Sequence, residues 1–136
     1  MASILVVEDE AITALDLKFG LEDLGYEVID TVDNGADAID IAAEKRPDIV
    51  LMDIILKGDM TGIEAAEKIS ALGIPIVYLT ANTGDDTFFN ANKNAVYGFI
   101  GKPFHMEKLN NVLKLAIKRA KIESQKVNLA KGFIKK

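Results

Sequence analysis

The chain has 136 residues, 49% of them hydrophobic and 27% charged, with a formal net charge of −5. That length suits one domain with a sizeable core, and the balance is that of an ordinary soluble globular protein. The absence of cysteine excludes a disulfide framework and a thiolate metal site. No apolar run approaches the roughly 20 residues of a membrane-spanning helix. The acidic segment Glu8-Asp9-Glu10, close behind the N-terminus, is unlike a secretion signal, so a cytoplasmic location is expected. The charge is uneven: residues 114–136 carry eight basic and one acidic side chain, a net +7, and the preceding residues carry a net −12. An acidic body argues against a nucleic-acid surface over most of the chain; the basic end reads equally as a contact for an anionic partner or as a solvated helix terminus.

In chain order, Ile4-Leu5-Val6-Val7 reads as a buried strand. Residues 11–24 follow as a helix, with Ile12, Leu15 and Phe19, and Leu17, Leu21 and Leu24, at helical spacings before Gly25 stops it. Residues 27–32 make a weaker strand, and Asn34-Gly35 turns the chain into an alanine-rich helix over 36–45. Pro47 bars more helix, and Ile49-Val50-Leu51-Met52 is the next apolar run. A helix over 63–72 ends at Gly73, and a strand covers 74–79. The polar stretch 82–94 holds a poor helix: Thr83 caps an acidic first turn, but Gly84, Asn90, Asn92 and Asn94 are weak helix formers. Residues 96–100 form a fifth strand, and Leu109, Val112, Leu113, Ala116, Ile117 and Ala120 mark one face of the last helix.

Continuous apolar strands alternating with helices predict a parallel sheet covered on both faces. The expected fold is α/β, a doubly wound five-stranded sheet of flavodoxin-like order 2-1-3-4-5. The expected organisation is one domain over residues 1–124 and a basic tail or linker stub over 125–136. In such sheets ligands bind outside the carboxyl ends of the strands. Glu8 and Asp9 follow the first strand, Asp53 the third, Thr80 ends the fourth and Lys102 lies past the fifth. Taken singly, each acid is equally a helix cap or a solvated loop residue, and Lys102 a surface lysine. Together they predict one rim.

Carboxylates about 4 Å apart repel by several kcal/mol at an effective dielectric of about 20, so a cation belongs among them. All-oxygen ligands suit Mg²⁺ (or Mn²⁺). A metal and a lysine around one carboxylate are the parts phosphoryl transfer uses, with the carboxylate as nucleophile.

Leu5-Val6-Val7-Glu8-Asp9-Glu10, Asp48 to Ile54, Thr61-Gly62-Ile63-Glu64, Ile74 to Ala81 and Gly98-Phe99-Ile100-Gly101-Lys102-Pro103-Phe104 resemble, in order and spacing, the signature segments of response-regulator receiver domains. The resemblance runs from Ser3 to about Lys121. It implies that Asp53 is the phosphoacceptor in a two-component phosphorelay. It implies a metal site of Glu8, Asp9, Asp53 and the backbone carbonyl of Ile55. It implies that the Thr80 hydroxyl and the Lys102 ammonium meet the phosphoryl group, that small Ala81 leaves room for its approach, and that the Lys102-Pro103 bond is cis. Phe99 takes the aromatic switch position, where a plain core ring is the alternative. Ile55 and Asn82 flank the phosphoryl group, and an apolar Ile55 should keep water away and lengthen its life. The loop from Leu56 to Met60 lacks the proline common in relatives, and Gly62 sits one residue further along.

The resemblance further implies a sensor histidine kinase as donor and a switching surface of the fourth helix, fifth strand and fifth helix. That surface would address a downstream protein or a linked output domain, or form a homodimer. Phe88 should pack inward; Phe89 is either a partner contact or a ring folded on the surface. His105, the only histidine, reads as structural. The chain is either a stand-alone receiver or a piece of a larger regulator. It is expected not to be an enzyme beyond its own phosphorylation and slow dephosphorylation. A phosphohydrolase with an aspartyl nucleophile would need an acid where Ile55 stands, and a pseudo-receiver would not keep the full set of acids with Thr80 and Lys102.

Overall fold

The structure is a computed structural model, and it describes residues 1–81 and 96–134, with side chains to Lys126. The expected fourth helix, with Asn82, Phe88 and Phe89, lies outside the described residues. Five strands, β1 (Ser3–Val7), β2 (Glu27–Val32), β3 (Ile49–Asp53), β4 (Ile76–Thr80) and β5 (Val96–Gly101), form one parallel sheet in the order β2-β1-β3-β4-β5. This is the flavodoxin-like order. Helices α1 (Ala11–Asp23), α2 (Gly35–Lys45) and α3 (Gly62–Ser70), and a C-terminal helix (Met106–Ile134), cover it. The C-terminal helix continues through the boundary expected at residue 124.

Period-two alternation sends neighbouring strand residues to opposite layers. Leu5, Val7, Val50, Met52, Ile76 and Tyr78 pack with Ala38, Ala42, Ala65, Ala66 and Ile69 of α2 and α3. Ile4, Val6, Leu51, Val77, Leu79 and Ile100 pack with Leu17 and Leu21 of α1 and with Leu109, Leu113 and Ala116 of the C-terminal helix. Of the two apolar stripes read on α1, only Leu17 and Leu21 reach the core; Ile12, Leu15 and Phe19 face solvent. The side of α1 that meets the C-terminal helix carries Gly20, where a β-carbon would lie 2.6 Å from the Met106 methyl.

Local signals fix the ends of the elements. Asn34 caps α2 by accepting the Asp37 amide at 2.9 Å, and Arg46, at φ 48°, closes it in the left-handed conformation. Thr61 and Glu64 form a reciprocal capping box at the start of α3. The C-terminal helix starts where the His105 carbonyl accepts the Leu109 amide at 3.0 Å. It is tied to β5 further along: Tyr97 donates its hydroxyl to Glu123, and Arg119 lies 4.4 Å from the centre of the Tyr97 ring.

One glycine holds the site-bearing turn. The Gly62 amide donates to the Ile54 carbonyl at 2.9 Å, and a β-carbon there would lie 2.0 Å from the Asp53 carbonyl oxygen and 2.8 Å from that of Ile54. Both obstacles are backbone, so neither can swing aside. Gly62→Ala is therefore expected to cost about 3 kcal/mol and to loosen the turn after β3. Urea unfolding of the variant beside the wild type measures it, and an unchanged midpoint would refute the close approach.

Candidate functional site

The carboxyl ends of β1, β3 and β4 and the turn after β5 meet at one rim. Glu8 and Asp9 leave β1, Asp53 ends β3 opposite Leu79, and Thr80 ends β4 opposite Gly101. The Lys102 amide donates to the Thr80 carbonyl at 2.8 Å, and the Ile54 amide to the Leu79 carbonyl at 3.1 Å. These backbone bonds carry the sheet register into the site. The Lys102-Pro103 peptide is cis.

Glu8, Asp53 and Thr80 are buried. Lys102 Nζ donates to Glu8 Oε1 and, at 2.9 Å, to Asp53 Oδ2. The other Asp53 oxygen, Oδ1, accepts the Ile55 amide at 3.1 Å. The adjacent Asp9 is half-buried, and its Oδ2 accepts the Lys57 amide at 3.1 Å, which ties the loop after β3 to β1. Carboxylate oxygens of Glu8, Asp9 and Asp53 lie within 4.8 Å of one another. The set is three hard oxygen donors with no imidazole or thiolate, the chemistry that suits Mg²⁺.

Burial, then the neighbouring Asp53, push the Glu8 carboxyl up to about 7, and the Lys102 hydrogen bond only partly opposes them. For Lys102, burial works against the charge, but the bonds and charges of Glu8 and Asp53 prevail and hold the ammonium above its ordinary value. One cation thus compensates a cluster too acidic to be stable by itself.

Glu10 belongs to the same constellation. Its Oε1 lies 3.6 Å from Lys102 Nζ although its side chain is largely exposed. In the sequence it closes the segment Leu5 to Glu10 that carries the family resemblance, with no role implied for it. Ile55 stands at the mouth with 65% of its surface exposed. Phe99 is half-buried on β5, its ring 5.7 Å from that of Tyr78. His105 is exposed at the start of the C-terminal helix.

The family profile of the response regulator receiver domain matches residues 4–114. The transcriptional regulatory protein PdtaR of Mycobacterium tuberculosis is 34% identical over 117 residues, covering 85% of this chain and 57% of that protein. DesR of Bacillus subtilis is 35% identical over 116 residues, covering 84% and 57%. The chain thus spans about half the length of these relatives. Among solved structures, the signal receiver domain of a modulated diguanylate cyclase from Desulfovibrio desulfuricans superposes with a TM-score of 0.84 at 35% identity, covering 90% of this chain and 98% of that one. The receiver domain of a Pseudomonas aeruginosa sensor histidine kinase, which holds a magnesium ion coordinated in its active site cleft, gives 0.77 at 30% identity, covering 86% and 98%. No helix among the described residues is long and apolar enough to cross a membrane. Sequence profile, sheet order and neighbours agree over most of the chain, which belongs to the response regulator receiver domain family of two-component signalling.

Proposed function

We propose that this receiver takes a phosphoryl group from a sensor histidine kinase onto Asp53 in a Mg²⁺-dependent reaction. It then signals to a downstream protein or a linked output domain through the surface of its fourth helix, fifth strand and fifth helix, which can also pair two copies. The observation that carries the reading is the carboxylate cluster at the sheet rim, bridged by the Lys102 ammonium. A structural ion pair alone would not need three acids around one lysine.

Glu8, Asp9, the Asp53 side chain and the Ile55 carbonyl would hold the metal, with Mn²⁺ as a substitute. Bound there, the ion supplies neutralisation of the negative charge on the transferring phosphoryl oxygens. An Asp53 oxygen attacks phosphorus as the phosphorus–nitrogen bond to the donor imidazole breaks, and the electron pair of that bond leaves with the ring nitrogen. Lys102, already 2.9 Å from Asp53 Oδ2, follows the new charge onto a phosphoryl oxygen. The Thr80 hydroxyl donates to another. Movement of Thr80 draws the Phe99 ring inward and reshapes the face of β5. The acceptor is regenerated only by slow hydrolysis, so the chain is a switch and not a turnover enzyme. A cytoplasmic location goes with this reading.

The test is to incubate the protein with Mg²⁺ and acetyl phosphate and weigh it intact. One added phosphoryl group supports the reading. No adduct on a folded protein would make it a pseudo-receiver, and rapid sustained hydrolysis a phosphohydrolase.

Ile55 and Asn82 would set how long the phosphoryl group survives. The exposed Ile55 side chain stands over the approach of water, so the phosphorylated form is expected to last well beyond seconds. Ile55→Asn should shorten that life roughly tenfold, about 1.4 kcal/mol of barrier. Following the adduct by mass after removal of the donor measures both, and decay of the wild type within seconds would refute the shielding.

A further inference from the structure

Glu10 stands beside the rim without a task in the helix it opens. It is the N-cap of α1, yet its side chain makes no capping hydrogen bond, unlike the short oxygen-bearing side chains that usually fill this position. Its backbone is pinned on both sides: the amide donates to Glu8 Oε2 at 3.3 Å, and the carbonyl accepts the Ala14 amide at 2.9 Å. The carboxylate is left to project from a fixed base. Its one ion pair among the described residues is to Lys102, with Oε1 3.6 Å from Nζ.

Lys102 thus faces three carboxylates of unequal kind. Glu8 and Asp53 are buried and hold its ammonium by hydrogen bonds. Glu10 stands further off, with a side chain 67% exposed against 15% for Lys102. Glu8 and Asp53 also belong, with Asp9, to the oxygen cluster suited to a cation, and Glu10 does not. A divalent ion in that cluster claims the oxygens on which Lys102 rests and repels the ammonium at short range. Lys102 then has to give ground. A cleft bordered by Thr13, Asp16, Pro103 and Phe104 opens next to it. Glu10 lies on the same side of α1 as Thr13, three residues along.

We propose that Glu10 is a positioning residue: it receives the Lys102 ammonium when a divalent cation takes Glu8 and Asp53, and so lets the cation bind without stranding a charge. The inference rests on the metal reading of the rim, and it gives Glu10 no contact with the ion. The Glu10–Lys102 pair is loose in the metal-free protein and tightens on loading, so by linkage it strengthens metal binding. It also keeps the ammonium at the mouth of the site, from which it can turn to an incoming phosphoryl oxygen. Asp16 is the natural comparison. It borders the same cleft but makes no ion pair with Lys102, whose partners are Glu8, Glu10 and Asp53.

Calorimetric titration of Mg²⁺ into the unphosphorylated full chain tests the proposal, with circular dichroism to verify folding. Glu10→Gln should weaken Mg²⁺ binding about fivefold, the upper range for an exposed ion pair. Asp16→Asn removes the same charge from the same helix and should weaken it less than about twofold, because only a screened field is lost. Lys102→Met should bind Mg²⁺ more tightly than the wild type. Glu10→Gln added to Lys102→Met should change the affinity less than about twofold, because no ammonium is left to receive. A second readout follows the lysine itself. The nitrogen NMR signal of Lys102 Nζ should move when Mg²⁺ is added to the wild type, and in loaded Glu10→Gln the ammonium should exchange its protons with water faster. An equal loss with and without Lys102, or an equal loss in Asp16→Asn, means that Glu10 acts by its charge alone and overturns the proposal. So does a Lys102 signal that Mg²⁺ leaves in place. Where Lys102→Met fails to fold, Asp16→Asn and the Lys102 signal decide by themselves. A wild type that binds no Mg²⁺ at all removes the metal reading first, and the proposal falls with it.

Discussion

Asp53→Asn should leave a folded protein that gains no phosphoryl group from acetyl phosphate and Mg²⁺, under conditions where the wild type gains one. The amide fills the same buried space and its single oxygen can accept from the Lys102 ammonium or from the Ile55 amide, though not both, so the packing of the β3 end is kept. An amide oxygen is too weak a nucleophile for the displacement, so the loss should be complete rather than partial. The same change has a second consequence in metal-free protein. It removes one negative charge from a cluster in which carboxylate oxygens of Glu8, Asp9 and Asp53 lie within 4.8 Å of one another, while Lys102 keeps its bond to Glu8. Repulsion falls by more than attraction does, and the variant should be more stable than the wild type by about 1 kcal/mol in EDTA. Thermal melts should also show a smaller stabilisation by Mg²⁺, because one ligand charge is gone. An adduct that persists in Asp53→Asn would move the acceptor to another residue, with Asp9 the next to replace.

The sheet was legible because its strands are buried on both faces and so read as unbroken apolar runs: Ile49-Val50-Leu51-Met52 leaves no other element open once Pro47 precedes it. The rim followed from that, since a parallel sheet brings every strand's carboxyl end to the same edge, and Glu8, Asp9, Asp53, Thr80 and Lys102 all stand there. What stayed hidden is what depends on direction. Two apolar stripes on α1 are equivalent in spacing, and only tertiary packing, with Gly20 close against Met106 and Leu17 and Leu21 against the sheet, decides which of them turns in. Glu8 and Asp9 are adjacent and alike in chemistry. One is buried on Lys102 while the other, half-buried, reaches the Lys57 amide, although their carboxylates stay in one cluster. Gly62 was visible only as a residue out of its usual register; its reason is a carbonyl of a strand end that a β-carbon would strike. Edge strand β2, with no residue fully buried, gave the faintest pattern for the same reason that its neighbours gave the clearest.

Lys102→Met carries the other large expected effect, and its size should depend on pH. In the metal-free wild type the Glu8 carboxyl stands at about 7 against an ordinary value of 4.5, so the folded state holds the proton more tightly than the unfolded chain does. A raised acid contributes stability that is complete below 4.5 and is lost as pH rises through about 7. Each unit is worth about 1.4 kcal/mol, which puts the loss from Glu8 on the order of 3–4 kcal/mol across that window. Lys102 limits the loss by standing against the charged form. Methionine keeps the length and apolar stem of the lysine and removes the cation. At pH 8 the variant must either bury charged Glu8 beside Asp53 with no counter-charge or draw a proton onto Glu8 from a solution that holds few, and either way it should be less stable than the wild type by about 3 kcal/mol in EDTA. At pH 5 Glu8 carries its proton, only the bond to Asp53 is missing, and the difference should shrink to about 1 kcal/mol. Mg²⁺ at pH 8 should recover much of the deficit, because a divalent ion among the three carboxylates replaces the missing charge. Phosphoryl uptake should slow without vanishing, since the Asp53 nucleophile is intact. Urea unfolding at the two pH values, with EDTA and with Mg²⁺, reads all of these together. An equal loss at pH 5 and pH 8 would mean that Lys102 acts by packing alone and that the Glu8 proton has no part in the balance of the rim.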